Sequence, residues 1–373
     1  MKNKTIMHIA NYSAPYKGNF IASLEMLENF LDKNNNRMVY VFPKSCEDTT
    51  WAGEFCKNRG GVYFVKEPHL KYKILLDKEL IQELDKVIKR EQPDIIHTHF
   101  DGYDEYAVKA NIKAKVIWHH HNYRTLMDNF FKRMYQKIML YKQYAIVGKN
   151  VYIIAISDYS VNDIKAYGFN IDKIAVIPNG IQKERIVYKD RCINNTTKIF
   201  LNYGGRAYTK GLDILIKAVR LLKNKNLSFK ILITDGVDTK DVIKKYFGED
   251  VPKEIEIVNQ TDNINELLGR CDYFISASRF ETFSYAIAEA MLSGTPVISS
   301  NIKGTRWSYG QPSVISFETE NAIDLANKME KIINGKIKVT EESLNISRKY
   351  ILDHYTTDVW SRQVIKFYEK LLN

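Results

Sequence analysis

Short apolar blocks punctuate the first half of the chain, at residues 5–11, 38–42, 62–65, 95–98, 116–118, 151–156 and 174–177. They are strand-length and bounded by polar or Gly-containing turns. Between them, stretches such as 20–31 and 75–89 carry apolar residues at helical spacing. This alternation predicts a doubly wound parallel sheet. The rhythm restarts with a strand at 198–202 and a helix at 212–222, then strands at 229–234, 254–258, 273–276 and 297–299. A polar, charged stretch at 182–197 separates the halves and reads as a linker. The predicted fold class is therefore α/β with two units, residues 1–182 and 183–356, and a last amphipathic helix at 357–373. No internal repeat or low-complexity segment is evident.

Ligands of doubly wound sheets gather beyond the carboxyl ends of the strands, so the turns there are the first places to look for chemistry. Residues 279–300, RFETFSYAIAEAMLSGTPVISS, follow the strand at 273–276. A helix is predicted to begin near Thr282 to Ser284, and Gly294-Thr295-Pro296 stops it before the next strand. Glu281 precedes that helix start, where free backbone N–H groups and the macrodipole favour a phosphate. Glu289 lies about two turns in, on the same side, and suits the two hydroxyls of a ribose. A diphosphate on the Phe283 and Ser284 amides, with a carboxylate at each end, is an arrangement for a nucleotide sugar.

A second turn of this kind follows the strand at 198–202, where Gly204-Gly205-Arg206 and Lys210-Gly211 precede a helix. Glycines there permit close approach, and Arg206 and Lys210 bring two positive charges that bind a diphosphate and stabilise it as it departs. In the first half, Gly18 and Asn19 open the helix after the first strand. Three consecutive histidines, His119, His120 and His121, follow the strand at 116–118. Successive residues of an extended segment point to opposite faces, so the three cannot ligate one ion, and no metal site is expected.

Residues 279–300 resemble the E-x7-E signature of retaining glycosyltransferases of family 4, a GT-B group. Residues 205–211 resemble that family's G-R-x(n)-K-G motif, and Pro178-Asn179-Gly180-Ile181 its I-P-N-G turn at the domain crossover. The chain departs from the family in reading E-T-F-S where E-G-F-G is usual, in having one glycine at Gly18 where a pair is usual, and in Gly304-Thr305-Arg306-Trp307. The resemblance implies a GT-B fold of two Rossmann-like domains facing a cleft, with the last helix crossing back to the first domain. It implies transfer of a sugar from a nucleotide diphosphate, UDP above all, to a hydroxyl of a growing, lipid-linked cell-surface glycan with retention at the anomeric carbon. Glu281 would hold sugar hydroxyls, Glu289 the ribose, and Arg206 and Lys210 the departing diphosphate. Gly205, Thr282, Phe283 and Ser284 would line the donor. Asn259 would fall where the family recognises the base, and Gly18 and Asn19 would border the diphosphate or the acceptor sugar. His121, with His119 as the alternative, would contact the donor sugar. No Asp-x-Asp of the metal-dependent type adjoins a strand, so no cofactor and no metal are expected.

Composition adds one feature. At 45% apolar and 27% charged, the 373-residue chain is ordinary for a globular protein, and its four cysteines lack metal spacing. No 18-residue apolar window and no signal peptide are evident, which predicts a cytoplasmic protein. Of the net charge of +11, residues 109–149 hold nine Lys or Arg against Asp128 alone, leaving +8 there. A helix predicted at 124–144 sets Leu126, Phe130, Met134, Ile138 and Tyr141 at helical spacing beside Lys132, Arg133 and Lys137. This predicts an interfacial helix on an anionic membrane surface at the inner face of the cell membrane. Its burial against the sheet would favour a soluble acceptor instead. The basic segment alone would also suit nucleic acid, but no nucleic-acid motif is present and none is expected as a partner.

Overall fold

The computed structural model describes residues 1–57, 59–68, 75–110, 113–121, 130–145, 150–166, 169–189, 196–223, 225–261 and 263–373. The chain divides into one compact unit of Met1–Gly180 with Thr357–Asn373, and a second of Ile181–Thr356. Ile181 and Gln182, expected in the first unit, fall in the second. The reason is local: Ile181 bridges Thr356, and its N–H donates to the Tyr355 carbonyl at 2.7 Å.

In the first unit the strands are β1 (Thr5–Ala10), β2 (Arg37–Pro43), β3 (Val62–Val65), β4 (Ile95–His99), β5 (Lys115–His120), β6 (Val151–Ala155) and β7 (Ile174–Val176). They form one parallel sheet in the order β3-β2-β1-β4-β5-β6-β7. Alternation along β1 and β4 sends Ile6, Ala10 and Ile95 to one face, packed under Trp360, Val364 and Tyr368 of the Thr357–Leu372 helix. Met7, Ile9 and Ile96 go to the other face, packed with Leu80 and Leu84 of the Lys78–Glu91 helix. That helix begins three residues later than its apolar spacing predicts. Asp77 caps it by accepting the Glu79 N–H at 2.9 Å.

The second unit has β8 (Lys198–Asn202), β9 (Phe229–Thr234), β10 (Ile255–Val258), β11 (Tyr273–Ser276), β12 (Val297–Ser300) and β13 (Val314–Phe317). Their parallel order is β10-β9-β8-β11-β12-β13. β13 is a strand that the sequence pattern does not predict, because its run Val314-Ile315-Ser316-Phe317 is only four residues long and is broken by a serine. The order reverses between β1 and β4 in one sheet and between β8 and β11 in the other. These are the two positions where a doubly wound sheet opens a crevice for a ligand. Among the described residues no helix is long and apolar enough to cross a membrane.

The helix Phe130–Ala145 places its apolar stripe outward. Phe130, Phe131, Met134, Tyr135, Ile138 and Tyr141 are exposed, Phe131 to 74% and Ile138 to 59%, whereas Gln136, Met139 and Leu140 are buried. Residues 122–129 and the side chains of Lys132 and Arg133 lie outside what is described. The packing that would have favoured a soluble acceptor is absent for Phe130, Met134 and Ile138.

Candidate functional site

In the second unit the crevice is built from the turns after β8 and β11. Asn202, the last residue of β8, ties the two strands together by donating to the Ile275 carbonyl at 2.9 Å. Beyond it, Gly205 takes a left-handed backbone and Arg206 starts the short helix Ala207–Lys210. Arg206 is exposed, and Lys210 closes this helix rather than opening one. From there the Lys210 ammonium reaches Glu281 Oε1 at 2.7 Å, and the Ser278 hydroxyl donates to the same oxygen at 2.9 Å. Both bonds fall on Oε1, which orients the carboxylate and leaves Oε2 as its second acceptor.

Two glycines make this geometry possible. A Cβ on Gly211 would sit 1.9 Å from the Ala277 carbonyl oxygen, and one on Gly304 would sit 1.8 Å from that of Glu281. The Glu281 loop is thus clasped by backbone on both sides. The Gly304–Trp307 segment, where the chain departs from the family pattern, is a buttress. Trp307 Nε1 donates to the Phe283 carbonyl at 2.6 Å, and the two rings stack at 5.0 Å. Phe283 is therefore a core side chain, and only its backbone borders the crevice. Arg279 anchors the same loop through paired hydrogen bonds to Asp213 at 2.7 and 2.9 Å and to Glu320 at 2.5 and 2.9 Å.

Ser284 caps the helix Tyr285–Leu292 with a left-handed backbone at φ 66°, and its buried hydroxyl has no hydrogen-bond partner among the described residues. The amides that open this helix have no acceptor within it, so with the Ser284 hydroxyl they form a helix start of the kind that binds an anion. Glu289 sits one turn into this helix, nearer its start than the sequence spacing predicted, and is 8% exposed. Tyr203, which sequence reasoning passed over, lies close by. Burial, and then the Glu289 carboxylate, push its phenol above the ordinary range, and its hydroxyl has no partner among the described residues. An aromatic just before the glycine pair was the only signal available. Thr282 is half-buried in the same loop, and Asn259 is exposed beyond β10, two strands from the crevice, where no hydrogen bond links it to the others.

In the first unit, Gly18 opens the helix Gly18–Asp32 at φ 56°, and the Asn19 carbonyl accepts from Ser23 at 2.7 Å. The histidines behave differently from a simple strand-end cluster. His120 turns to one face beside Asp104, 3.9 Å away. His119 and His121 turn to the other and meet His8 from β1 and His97 and His99 from β4, all buried. Sequence spacing could not reveal this, because only the strand register sets His8 beside His97 and His99 beside His119. Both ring nitrogens of His121 are engaged, Nε2 with His99 and Nδ1 with Asn179, each at 2.9 Å. A sugar contact by His121 therefore requires one of these partners to give way. His119 is fully buried and is the weaker alternative.

Three groups of side chains hold ligand-type atoms within 4.8 Å of one another: His8, His97 and His99; His99, His119 and His121; and Asp101, Asp104 and His120. Each histidine group contains a pair of closely stacked rings. His119 and His121 lie 3.9 Å apart and His97 and His99 4.2 Å apart, inclined by 23° and 29°. Imidazole lone pairs lie in the ring plane, so stacked rings point them alongside each other and not at one ion about 2 Å from each.

The sequence of the second unit fits the model of glycosyl transferases group 1 over residues 187–350, and that of the first fits glycosyltransferase family 4 over residues 31–185. The chain belongs to the GT-B glycosyltransferases. It is similar, at 27% identity, to an uncharacterised 41.2 kDa protein of the cps region of Klebsiella pneumoniae, over 58% of this chain and 63% of the other. It is similar at 23% identity to the UDP-Gal:alpha-D-GlcNAc-diphosphoundecaprenol alpha-1,3-galactosyltransferase of Escherichia coli, over 82% of this chain and 81% of the enzyme. In fold it resembles the Anabaena protein HepE solved with UDP, with a TM-score of 0.78 at 14% identity over 99% of this chain and 100% of that one.

Proposed function

We propose that this glycosyltransferase moves a sugar from a UDP-sugar to a hydroxyl of a lipid-linked, cell-surface glycan, with retention at the anomeric carbon. The observation that carries the donor reading is the β8/β11 crevice, where a carboxylate oriented by Lys210 and Ser278 stands before the amides and hydroxyl that open the Tyr285–Leu292 helix. The diphosphate would lie on those amides and on Ser284, with Arg206 and Lys210 stabilising the charge that accumulates as it leaves. Glu281 would take sugar hydroxyls through Oε2, and Glu289 the ribose. The leaving phosphate oxygen would receive the acceptor's proton, so no separate base and no metal is invoked. The undecaprenol-linked acceptor and alpha product in the name of the E. coli relative support the lipid-linked and retaining parts of this reading. The HepE complex supports UDP as the nucleotide.

The exposed stripe of the Phe130–Ala145 helix supports an acceptor at a membrane surface over a soluble one. Its aromatic and Met side chains, with Lys137 exposed beside them, suit an anionic interface.

The test is a thermal-shift panel of UDP, GDP and ADP and their common sugars, with and without EDTA, on wild type, Glu289→Ala and Arg206→Ala. A bound ligand raises the midpoint by mass action. A shift with UDP compounds alone, unchanged by EDTA and lost in both variants, is the expected result. No shift with any nucleotide would overturn the donor reading, and a shift that EDTA abolishes would overturn metal independence.

A further inference from the structure

Six hydrogen bonds run in one continuous line through the core of the first unit, from His119 to Asn179. His119 Nδ1 meets His97 Nε2 at 3.2 Å, and His97 Nδ1 meets the Tyr368 hydroxyl at 2.6 Å. That hydroxyl meets His8 Nε2 at 3.3 Å, and His8 Nδ1 meets His99 Nε2 at 2.9 Å. His99 Nδ1 then meets His121 Nε2, and His121 Nδ1 meets Asn179 Oδ1, both at 2.9 Å. Every ring is buried, and burial holds His8 at about 3, His121 at about 4 and the other three well below the ordinary histidine range. Each imidazole is therefore neutral near neutral pH, with one nitrogen donating and the other accepting.

Neutrality leaves two directions for the line, and both ends choose the same one. Asn179 Oδ1 can only accept, so His121 must donate from Nδ1 and accept at Nε2. That makes His99 donate from Nδ1, then His8 from Nδ1, then Tyr368 its hydroxyl to His8. The Tyr368 oxygen accepts from His97 Nδ1, and His97 Nε2 accepts from His119 Nδ1. At the far end His119 Nε2 is left as an acceptor, and it has no partner among the described residues. The reverse direction would set two acceptors face to face at Asn179 and bury an N–H without a partner at His119, which costs more than an unpaired lone pair. All five histidines are thus Nδ1–H tautomers, the less favoured form of free histidine.

We propose that Tyr368 and the four histidines behind it are positioning residues that hold His121 as an Nδ1–H donor, so that a sugar oxygen replacing the Asn179 carbonyl meets a hydrogen and not a lone pair. This rests on the reading of His121 as the donor-sugar contact. Tyr368 is the decisive link because it is the one member that both donates and accepts through a single atom. Its loss leaves the His97 N–H without an acceptor and His8 Nε2 without a donor, so that once a sugar oxygen displaces Asn179 nothing holds the His8–His99–His121 segment against reversal.

The experiment is nitrogen–proton correlation spectroscopy of the full chain, labelled with nitrogen-15 in its histidine rings, at about pH 7.5. Wild type should show Nδ1–H patterns for His8, His97, His99, His119 and His121, and Tyr368→Phe should move His97 toward Nε2–H while Asn179 still holds His8. An Nε2–H pattern at any of the five in wild type, or no change at His97 in the variant, would overturn the chain. Turnover of UDP-galactose set against binding of UDP then tests the role. In Tyr368→Phe, kcat/KM for UDP-galactose should fall about fivefold while the affinity for UDP stays within about twofold. Equal losses in both, or none, would overturn the positioning role. Wild type that fails to bind UDP would instead refute the donor reading, and the spectra would still judge the chain.

Discussion

Ser284 takes a left-handed backbone where the family usually has glycine, and it carries a buried hydroxyl without a partner among the described residues. Both features cost stability, the backbone by roughly 1–2 kcal/mol for a residue with a Cβ. Persistence of such strain at a helix start that borders a crevice fits a residue kept for binding. Ser284→Gly should stabilise the fold by about 1 kcal/mol and so raise the thermal midpoint, and Ser284→Ala should leave the backbone strain in place. Both should weaken UDP binding about fivefold if the hydroxyl donates to the diphosphate. Unchanged UDP affinity in both variants, read by calorimetry, would remove Ser284 from the site. The placement of Glu281 before a helix start and Glu289 within the helix was legible from their spacing. Tyr203 and the buttressing Trp307 were not, because neither contact is local in sequence.

The element that most changes the picture is the Phe130–Ala145 helix. An amphipathic helix ordinarily turns its apolar stripe inward, yet here Gln136, Met139 and Leu140 are buried while the aromatic stripe is exposed. The periodicity identified the stripe but could not tell which face the sheet would cover. Docking on an anionic surface would bury these rings and place Lys137 near the headgroups. Phe131→Glu with Ile138→Glu should therefore lower sedimentation with phosphatidylglycerol vesicles by about tenfold or more, and these exposed sites should leave the thermal midpoint near wild type. Equal binding of wild type to anionic and neutral vesicles, or binding to neither, would sink the membrane role. The final helix shows the complementary case. Its stripe of Trp360, Val364, Phe367 and Leu371 was plain in the sequence, but the partner it covers, a sheet face carrying five histidines, was not.

At the scale of the molecule, the buried histidines make the first unit sensitive to acid. Folding lowers their pKa, so below the ordinary value of 6.5 the unfolded chain binds protons that the native chain does not. Stability then rises with pH and is lost as pH falls from 6.5 toward the native values of about 4 for His121 and about 3 for His8. Each such histidine costs about 1.4 kcal/mol per pH unit over that window, and five in one stack cost several-fold more. Thermal unfolding of the full chain should show an early, pH-dependent transition at about pH 5 that merges with the later one near neutrality. A midpoint unaffected by pH across this range would contradict the burial of the array.

What the sequence by itself determined is what local pattern can encode. Alternating strand and helix blocks dictated two parallel α/β units, and turn chemistry at residues 204–211 and 279–284 marked the turns that border the β8/β11 crevice. Tertiary structure alone decided what depends on register and on which face is covered. Strand pairing gathered His8, His97, His99, His119 and His121 across more than a hundred residues of chain. It also turned a helix stripe outward, and it joined Lys210 to Glu281. Periodicity fixes which residues share a face, but only packing against the rest of the fold settles what that face meets.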